Sequence, residues 1–83
     1  MQYVSAMLGE ILRREREAAG LSQQVLAKRA GINRSYLSEL ENDAKSPTVQ
    51  LLMRLCGAMG ISAGAVLTEA ERNQGRSGRG RKD

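Results

Sequence analysis

Three apolar segments of this sequence are each followed by a glycine, and this spacing limits the chain to short helices. Apolar residues recur three and four positions apart before Gly20, Gly31 and Gly60, as they do on the buried face of an amphipathic helix. A glycine after such a segment commonly ends the helix, because it adopts the left-handed backbone conformation without steric strain. No segment alternates apolar and polar residues as a strand does, so the pattern predicts an all-α fold.

Residues that favour helix starts stand before four of the expected helices. Ser22, Asn33 and Ser62 are suited to cap the second, third and fifth helices through a side-chain oxygen. Ser46-Pro47 has the form of a cap followed by proline at the first position of the fourth helix. We expect helices over about residues 5–19, 23–30, 34–42, 48–59 and 63–71.

The composition favours an aliphatic core and excludes most catalytic chemistry. The chain has 83 residues with one cysteine and no histidine, tryptophan or phenylalanine. Cys56 lies among leucines and methionines, where a cysteine is ordinarily a small buried hydrophobic residue. Because nothing here assembles a catalytic set, we expect no enzyme activity, metal, cofactor or small-molecule ligand. The lone cysteine and an apolar stretch of only residues 3–8 favour a cytoplasmic protein that does not contact a membrane.

The positive charge of the chain is concentrated at its C-terminal end. The net charge is +4, from 13 basic and 9 acidic residues. Five of the basic residues and one acidic residue lie in residues 72–83, so residues 1–71 contain eight of each and are neutral. From residue 73 onward no residue is apolar. We therefore predict a folded domain over 1–71 and a disordered basic Gly/Arg-rich tail over 72–83, and net charge alone does not make the domain a nucleic-acid binder.

Residues 23–42 have the pattern of two short helices that meet at a steep angle. Such a crossing tolerates only a small side chain, which suits Ala27, and the turn needs a left-handed residue, which suits Gly31. The positions expected to hold the pair on the core are all apolar: Leu26, Ala30, Ile32, Leu37 and Leu40. The pattern predicts a helix-turn-helix.

The outward face of the second helix of this pair is polar throughout its first two turns. The DNA major groove is about 12 Å wide and admits one α-helix. Arg34 can bind guanine O6 and N7 through two hydrogen bonds, and Glu39 can accept one from cytosine N4. We predict that five residues contact base edges: Asn33, Arg34, Ser35, Ser38 and Glu39.

Two runs of residues, 21–32 and 34–42, resemble the phage repressor/Cro-type (Xre-like) helix-turn-helix family. The resemblance extends from about Leu8 to Leu67 and includes Ser46-Pro47. It implies a compact four- to five-helix, lambda-repressor-like domain with helices 2 and 3 as the helix-turn-helix. It also implies a sequence-specific regulator of transcription, a repressor, that binds a palindromic double-stranded DNA operator as a homodimer and is associated with the nucleoid when bound.

The same resemblance assigns roles to residues outside the base-contacting face. It implies phosphate contacts by four residues, Gln23, Lys28, Asn42 and Lys45. It also implies a largely buried salt bridge between Arg16 and Glu41. Asp43 departs from the family, which usually has glycine there, and adds a negative charge near the expected path of the phosphates.

The fourth helix is apolar over much of its circumference. Such a helix is either central in its domain or shares a face with a partner. Because the family dimerises at this end, we predict dimer contacts by Leu51, Leu55, Ala58 and Val66. A different function stays open: an antitoxin or restriction–modification controller protein whose main role includes binding a protein partner.

Overall fold

The structure, a computed structural model, describes the backbone of residues 8–78 and the side chains of residues 8–73. Within that range the chain forms five helices and no strand, which confirms the predicted all-α fold. The predicted start of the first helix, near residue 5, lies outside the described residues. The helices are α1 (Leu8–Ala18), α2 (Gln23–Ala30), α3 (Arg34–Glu41), α4 (Val49–Met59) and α5 (Ala63–Gly78).

Most helix boundaries are formed by the residues that the sequence predicts. The side-chain oxygens of Ser22, Asn33 and Ser62 each accept a hydrogen bond from the backbone N–H three residues on, at 3.1, 2.7 and 3.2 Å. Helices α2 and α4 end at Gly31 and Gly60, where φ is 78° and 75°. These caps satisfy backbone groups that a helix leaves unpaired at its ends, so the short-range sequence sets these boundaries.

The residue that caps the start of α4 lies two positions after the predicted one. Thr48, rather than Ser46, is the cap: its backbone is extended and its Oγ1 accepts a hydrogen bond from the N–H of Leu51 at 3.1 Å. The prediction that Ser46-Pro47 opens this helix is therefore wrong. Pro47 is buried just before the cap, a position where an apolar residue commonly packs against the first turn of the helix.

Helix α5 is longer than predicted. It was expected to end near Glu71, but its backbone stays helical to Gly78, into the segment assigned to the tail. Once the first turn is formed and docked, each further residue adds a hydrogen bond at little cost, so weak helix formers can follow. The division into a domain over 1–71 and a tail over 72–83 remains a prediction, and residues 79–83 lie outside the described range.

Helix α4 is the central helix of the fold. It packs against α2 on one side and α5 on another, and Leu52, Leu55 and Cys56 are completely or almost completely buried. The sequence left open whether α4 is apolar because it is central in its domain or because it contacts a partner, and the burial of these residues favours the first explanation. The burial of the Cys56 thiol raises its pKa, because an apolar environment disfavours the thiolate.

The structure corrects most of the predicted dimer contacts. Leu51, Leu55 and Val66 are only 5%, 0% and 3% exposed, and they pack in the chain's own core. They cannot supply an exposed contact surface, because they are buried within the chain, whereas Val49 and Met53 on the same helix are 38% and 59% exposed. Of the predicted set, only Ala58 keeps a half-exposed side chain.

Helices α1 and α3 approach closely at Gly9. A Cβ atom built on Gly9 would lie 2.8 Å from the carbonyl oxygen of Leu40 and 2.7 Å from the carbonyl carbon of Glu41. Both are backbone atoms, which cannot turn aside as the end of a flexible side chain can. Glycine is therefore required here by the packing of two helices and not by the conformation of its own backbone.

We expect Gly9→Ala to lower the free energy of unfolding by about 2 kcal/mol or more, since α1 and α3 have to separate. Gly57→Ala is the matched control, because Gly57 is also helical and an added Cβ would have no atom within 4 Å. That substitution should raise the stability by about 0.5–1 kcal/mol. Urea unfolding followed by circular dichroism measures both. Equal stability of the two variants would contradict the close approach.

A surface ion pair joins α5 to α1. Nη1 and Nη2 of Arg14 donate to Oε2 and Oε1 of Glu69 at 2.6 and 2.7 Å, and Nη2 also donates to Glu15. Hydrogen bonds from Arg14 and its positive charge lower the pKa of Glu69 below its ordinary value. Both side chains are partly exposed, so solvent screens the pair.

The pair should contribute to stability at neutral pH and lose that contribution in acid. A carboxylate whose pKa is lowered by folding stabilises the fold above its unfolded pKa, and the stabilisation disappears as the pH falls through the folded pKa. The melting temperature of Glu69→Gln should thus lie below that of the wild type at neutral pH and converge on it in acid, as the pH falls through the lowered pKa of Glu69. Glu71→Gln, exposed on the same helix, is the control. If the difference in melting temperature between Glu69→Gln and the wild type is the same in acid as at neutral pH, this assignment is wrong.

No single helix within residues 8–78 has both the length and the apolar composition needed to cross a membrane. Helix α4 and the Ala63–Asn73 part of α5 satisfy those criteria only when they are counted together, and the bend between the two helices is 115°.

Candidate nucleic-acid interface

Helices α2 and α3 form the predicted helix-turn-helix. Ala27 is 2% exposed, and its carbonyl accepts a hydrogen bond from the N–H of Ile32 across the turn at 2.9 Å. Gly31 supplies the left-handed residue of the turn. Leu37 and Leu40 hold α3 on the core and are almost completely buried, which leaves the opposite face of α3 exposed.

That exposed face brings four of the five predicted base-contacting residues together with one predicted phosphate contact. A shallow depression of about 270 Å³ lies on this face. Arg34, Ser35 and Glu39 are exposed there, and Ser38 and Gln23 are half-buried. The residues that line it are Gln23, Arg34, Ser35, Ser38 and Glu39.

Asn33 occupies a different position from the other predicted base contacts. Its Oδ1 accepts a hydrogen bond from the N–H of Tyr36 at 2.7 Å, so this oxygen is engaged in capping α3. Only the Nδ2 group is left to donate to DNA. Asn33 can therefore donate to a base or a phosphate through Nδ2 while its Oδ1 keeps the cap of α3.

The remaining predicted phosphate contacts lie at the two ends of α3. Lys28 lines a second depression, of about 420 Å³, together with Arg34, so it lies beside the start of α3. Asn42 and Lys45 are exposed and follow its C-terminal end. Gln24, which also lines the second depression, was missed by the sequence reasoning; its polar side chain on the exposed side of α2 was the available signal.

Glu39 and Lys45 form a loose pair at the C-terminal end of the face. Lys45 Nζ lies 3.9 Å from Glu39 Oε1, and the two side chains are 56% and 47% exposed. An exposed pair at this distance is weak and separates at little cost. The lysine offsets the charge of Glu39 without preventing either group from contacting DNA.

Arg16 and Glu41, which the family resemblance pairs, are joined in the structure. Arg16 Nε donates to Glu41 Oε2 at 2.7 Å, and Nη2 donates to Oε1 at 3.1 Å. Arg16 Nη1 donates to the carbonyl of Leu21 at 2.9 Å. The hydrogen bonds to Glu41 raise the pKa of Arg16. The network ties α1 to α3 and to the connection between α1 and α2.

Asp43 is exposed, but one oxygen of its carboxylate is bound by α1. Among the described residues it is the one non-glycine with positive φ, 59°. Its Oδ1 accepts a hydrogen bond from the N–H of Gly9 at 2.9 Å, in the first turn of α1. A carboxylate is stabilised at a helix N-terminus by the unpaired N–H groups and the helix dipole. The carboxylate of Asp43, which we expected near the path of the DNA phosphates, is thus bound through one oxygen by α1.

The neutrality of the domain conceals a separation of charge. Residues 21–48 contain four basic and three acidic residues. Glu41 is buried and paired with Arg16, whereas Glu39 and Asp43 are exposed. The four basic residues of this segment are all exposed and outnumber those two carboxylates, so its exposed charge is net positive: Lys28, Arg29, Arg34 and Lys45. The other acidic residues of the described range lie on α1 and α5.

The role of Asp43 can be tested by an ordered series of variants. Asp43→Asn keeps an acceptor for Gly9 and tolerates positive φ, so its stability should stay within about 0.5–1 kcal/mol of wild type. Asp43→Ala loses the acceptor and keeps the strained backbone, and should lose about 1–3 kcal/mol. Asp43→Gly loses the acceptor but relieves the strain, and should fall between them. Denaturant unfolding gives the order, and an alanine variant as stable as the asparagine variant would refute the bond.

Comparison with known proteins places the same segment in a family. Residues 12–66 match the family described as Helix-turn-helix. The immunity repressor protein of Bacillus phage phi105 is 34% identical over 62 residues, which is 75% of this chain and 43% of the repressor. The chain therefore spans less than half the length of that relative.

Two solved structures share the fold over most of the chain. The clp gene regulator ClgR from Corynebacterium glutamicum superposes with a TM-score of 0.80 and 33% identity, over 90% of this chain and 80% of ClgR. The restriction-modification controller protein C.AhdI from Aeromonas hydrophila superposes with a TM-score of 0.69 and 32% identity, over 71% of this chain and 86% of C.AhdI.

Proposed function

Because the chain belongs to the Xre-type helix-turn-helix family of DNA-binding transcriptional regulators, which are not enzymes, we propose that it is a sequence-specific repressor. It binds a palindromic double-stranded DNA operator as a homodimer, with α3 in the major groove. The observation that carries the proposal is the single exposed face of α3 on which Arg34, Ser35, Ser38 and Glu39 lie together.

The dimensions and chemistry of α3 support this docking. An α-helix with its side chains is about 10–12 Å in diameter, which fits the groove's width of about 12 Å. Arg34, near its start, reads guanine through O6 and N7, and Glu39 accepts from cytosine N4 once it separates from Lys45. Ser35 and Ser38 donate to or accept from neighbouring base edges. Asn33 adds a donor from its free Nδ2 group.

Phosphate contacts on both sides of the groove hold α3 in register. Gln23 and Lys28 bind phosphates at the side formed by α2, and Asn42 and Lys45 bind them beyond the end of α3. Such contacts position a protein on the duplex but do not read its sequence. The exposed positive charge of this side attracts the backbone even though the domain as a whole is neutral.

The homodimer is proposed because one short helix reads only a half-site, and a second copy doubles the contacts on a palindrome. The buried Leu51, Leu55 and Val66 do not carry this interface. Half-exposed apolar residues around the connection between α4 and α5 take their place: Ala58, Ile61 and Leu67.

Selection of bound sequences from random duplex DNA tests the function. The wild type should enrich a palindrome, and two chains should bind each duplex. Arg34→Ala should lose about 1–3 kcal/mol of discrimination at one base pair in each half-site, because its two hydrogen bonds to guanine are gone. Arg54→Ala, exposed on α4 away from this face, is the matched control.

Equal binding of all duplexes by the wild type and Arg34→Ala would defeat the proposal of a specific reader. An enriched site without internal symmetry, bound by one chain, would leave the reader intact and refute the homodimer.

The likeness to C.AhdI supports a second setting for the same activity, as a controller of a restriction–modification system. A controller and a repressor would read DNA through the same face of α3. They differ in the genes beside the operators they occupy, so mapping the bound sites in the source genome separates them.

A further inference from the structure

The Glu41 carboxylate accepts a hydrogen bond from Gln23 as well as from Arg16. Gln23 Nε2 donates to Glu41 Oε1 at 3.0 Å, and the Glu41 side chain is 1% exposed. Gln23 is the first residue of α2 and Glu41 the last of α3, so this bond links the two helices of the helix-turn-helix at ends that lie 18 positions apart in sequence.

This bond determines which end of the Gln23 amide faces outward. A carboxylate can only accept, so the NH₂ group has to face Glu41 and the amide cannot flip without losing the bond. One N–H is used there, which leaves the second N–H and Oε1. Because Gln23 also lines the depression on α3, these remaining groups border the surface that DNA would cover.

Arg16 makes the arrangement compatible with a nearby phosphate. A buried carboxylate without a cation would repel a phosphate and would itself be costly to bury. The two hydrogen bonds from Arg16 balance its charge, so the network beneath Gln23 is neutral overall. Glu41 can therefore orient the amide without opposing the approach of DNA.

We propose that Glu41 is a positioning residue for DNA binding: it holds the Gln23 side chain so that its second N–H donates to a backbone phosphate. Glu41 touches no DNA and acts through Gln23. The inference rests on the proposed function. It adds that the ordering of the Gln23 side chain is completed in the free protein, so this contact loses less conformational freedom on binding.

The first test uses the unmodified protein without DNA. Side-chain ¹⁵N relaxation should show a Gln23 amide nearly as rigid as the backbone, and a freely moving amide at Gln24, which is exposed on the same helix turn. If the two amides are equally mobile, Glu41 does not hold Gln23 and the proposal fails.

The second test replaces single operator phosphates by neutral methylphosphonate. For the wild type, one position per half-site should lower affinity about tenfold through loss of the Gln23 contact. Gln23→Ala should make that position insensitive while the others stay sensitive. Glu41→Met, which has no oxygen to accept from the Gln23 amide, should abolish the sensitivity at the same position and keep the selected base sequence, and the double variant should bind no more weakly than Gln23→Ala alone.

A purely structural Glu41 gives another pattern. Glu41→Met would then weaken binding at every phosphate alike, and its effect would add to that of Gln23→Ala, which overturns the proposal. If Glu41→Met does not fold, Gln23→Lys decides, since an ammonium group can donate to Glu41 and to phosphate together. Binding by Gln23→Lys should stay sensitive at the same phosphate position, and a loss of that sensitivity would contradict the proposal.

A wild type that shows no specific DNA binding refutes the proposed function as well. Specific binding in which the variants leave the phosphate profile unchanged refutes this inference alone.

Discussion

The buried carboxylate of Glu41 joins the parts of the chain that have to be aligned for α3 to be presented to a ligand. It receives two hydrogen bonds from Arg16 on α1 and one from Gln23 on α2, while Arg16 also binds the carbonyl of Leu21. Two charges buried in this way stabilise a fold only when their hydrogen bonds are well formed. The network therefore links α1, α2 and α3 through hydrogen bonds whose donors and acceptors have to stay in contact.

Helix α1 takes no part in the exposed face of α3, yet it determines how that face is held. The missing side chain of Gly9 lets the backbones of α1 and α3 come together, and the N–H of Gly9 then binds Asp43 just beyond α3. Arg16 anchors the same end of α3 from further along α1. These two contacts join the C-terminal end of α3 to α1. Arg34 and Ser35, in the N-terminal half of α3, are exposed.

The attraction of this domain for a phosphate depends on where its charged side chains lie and not on its net charge. At physiological ionic strength charges act over about 8 Å, so a phosphate responds to the side chains beside it and not to the sum over the chain. In residues 21–48 only Glu41 is buried and paired with a cation, and the four exposed basic residues outnumber the exposed Glu39 and Asp43. A neutral domain can thus present a positive face.

Short-range sequence was enough to predict the helices, their caps at Ser22 and Asn33, the turn at Gly31 and the polar side of α3, because each depends on groups within a few positions along the chain. The pairing of Arg16 with Glu41 came from likeness to a family. Tertiary structure alone decided the rest. The partners of Asp43 and Gln23 lie 34 and 18 positions away, and the requirement for glycine at position 9 arises from a second helix. The leucines of α4 could equally have faced a partner, and only the positions of α2 and α5 showed that Leu51, Leu52 and Leu55 are buried within the chain. Periodicity shows which side of a helix is apolar, but what covers that side is determined by how the helices pack.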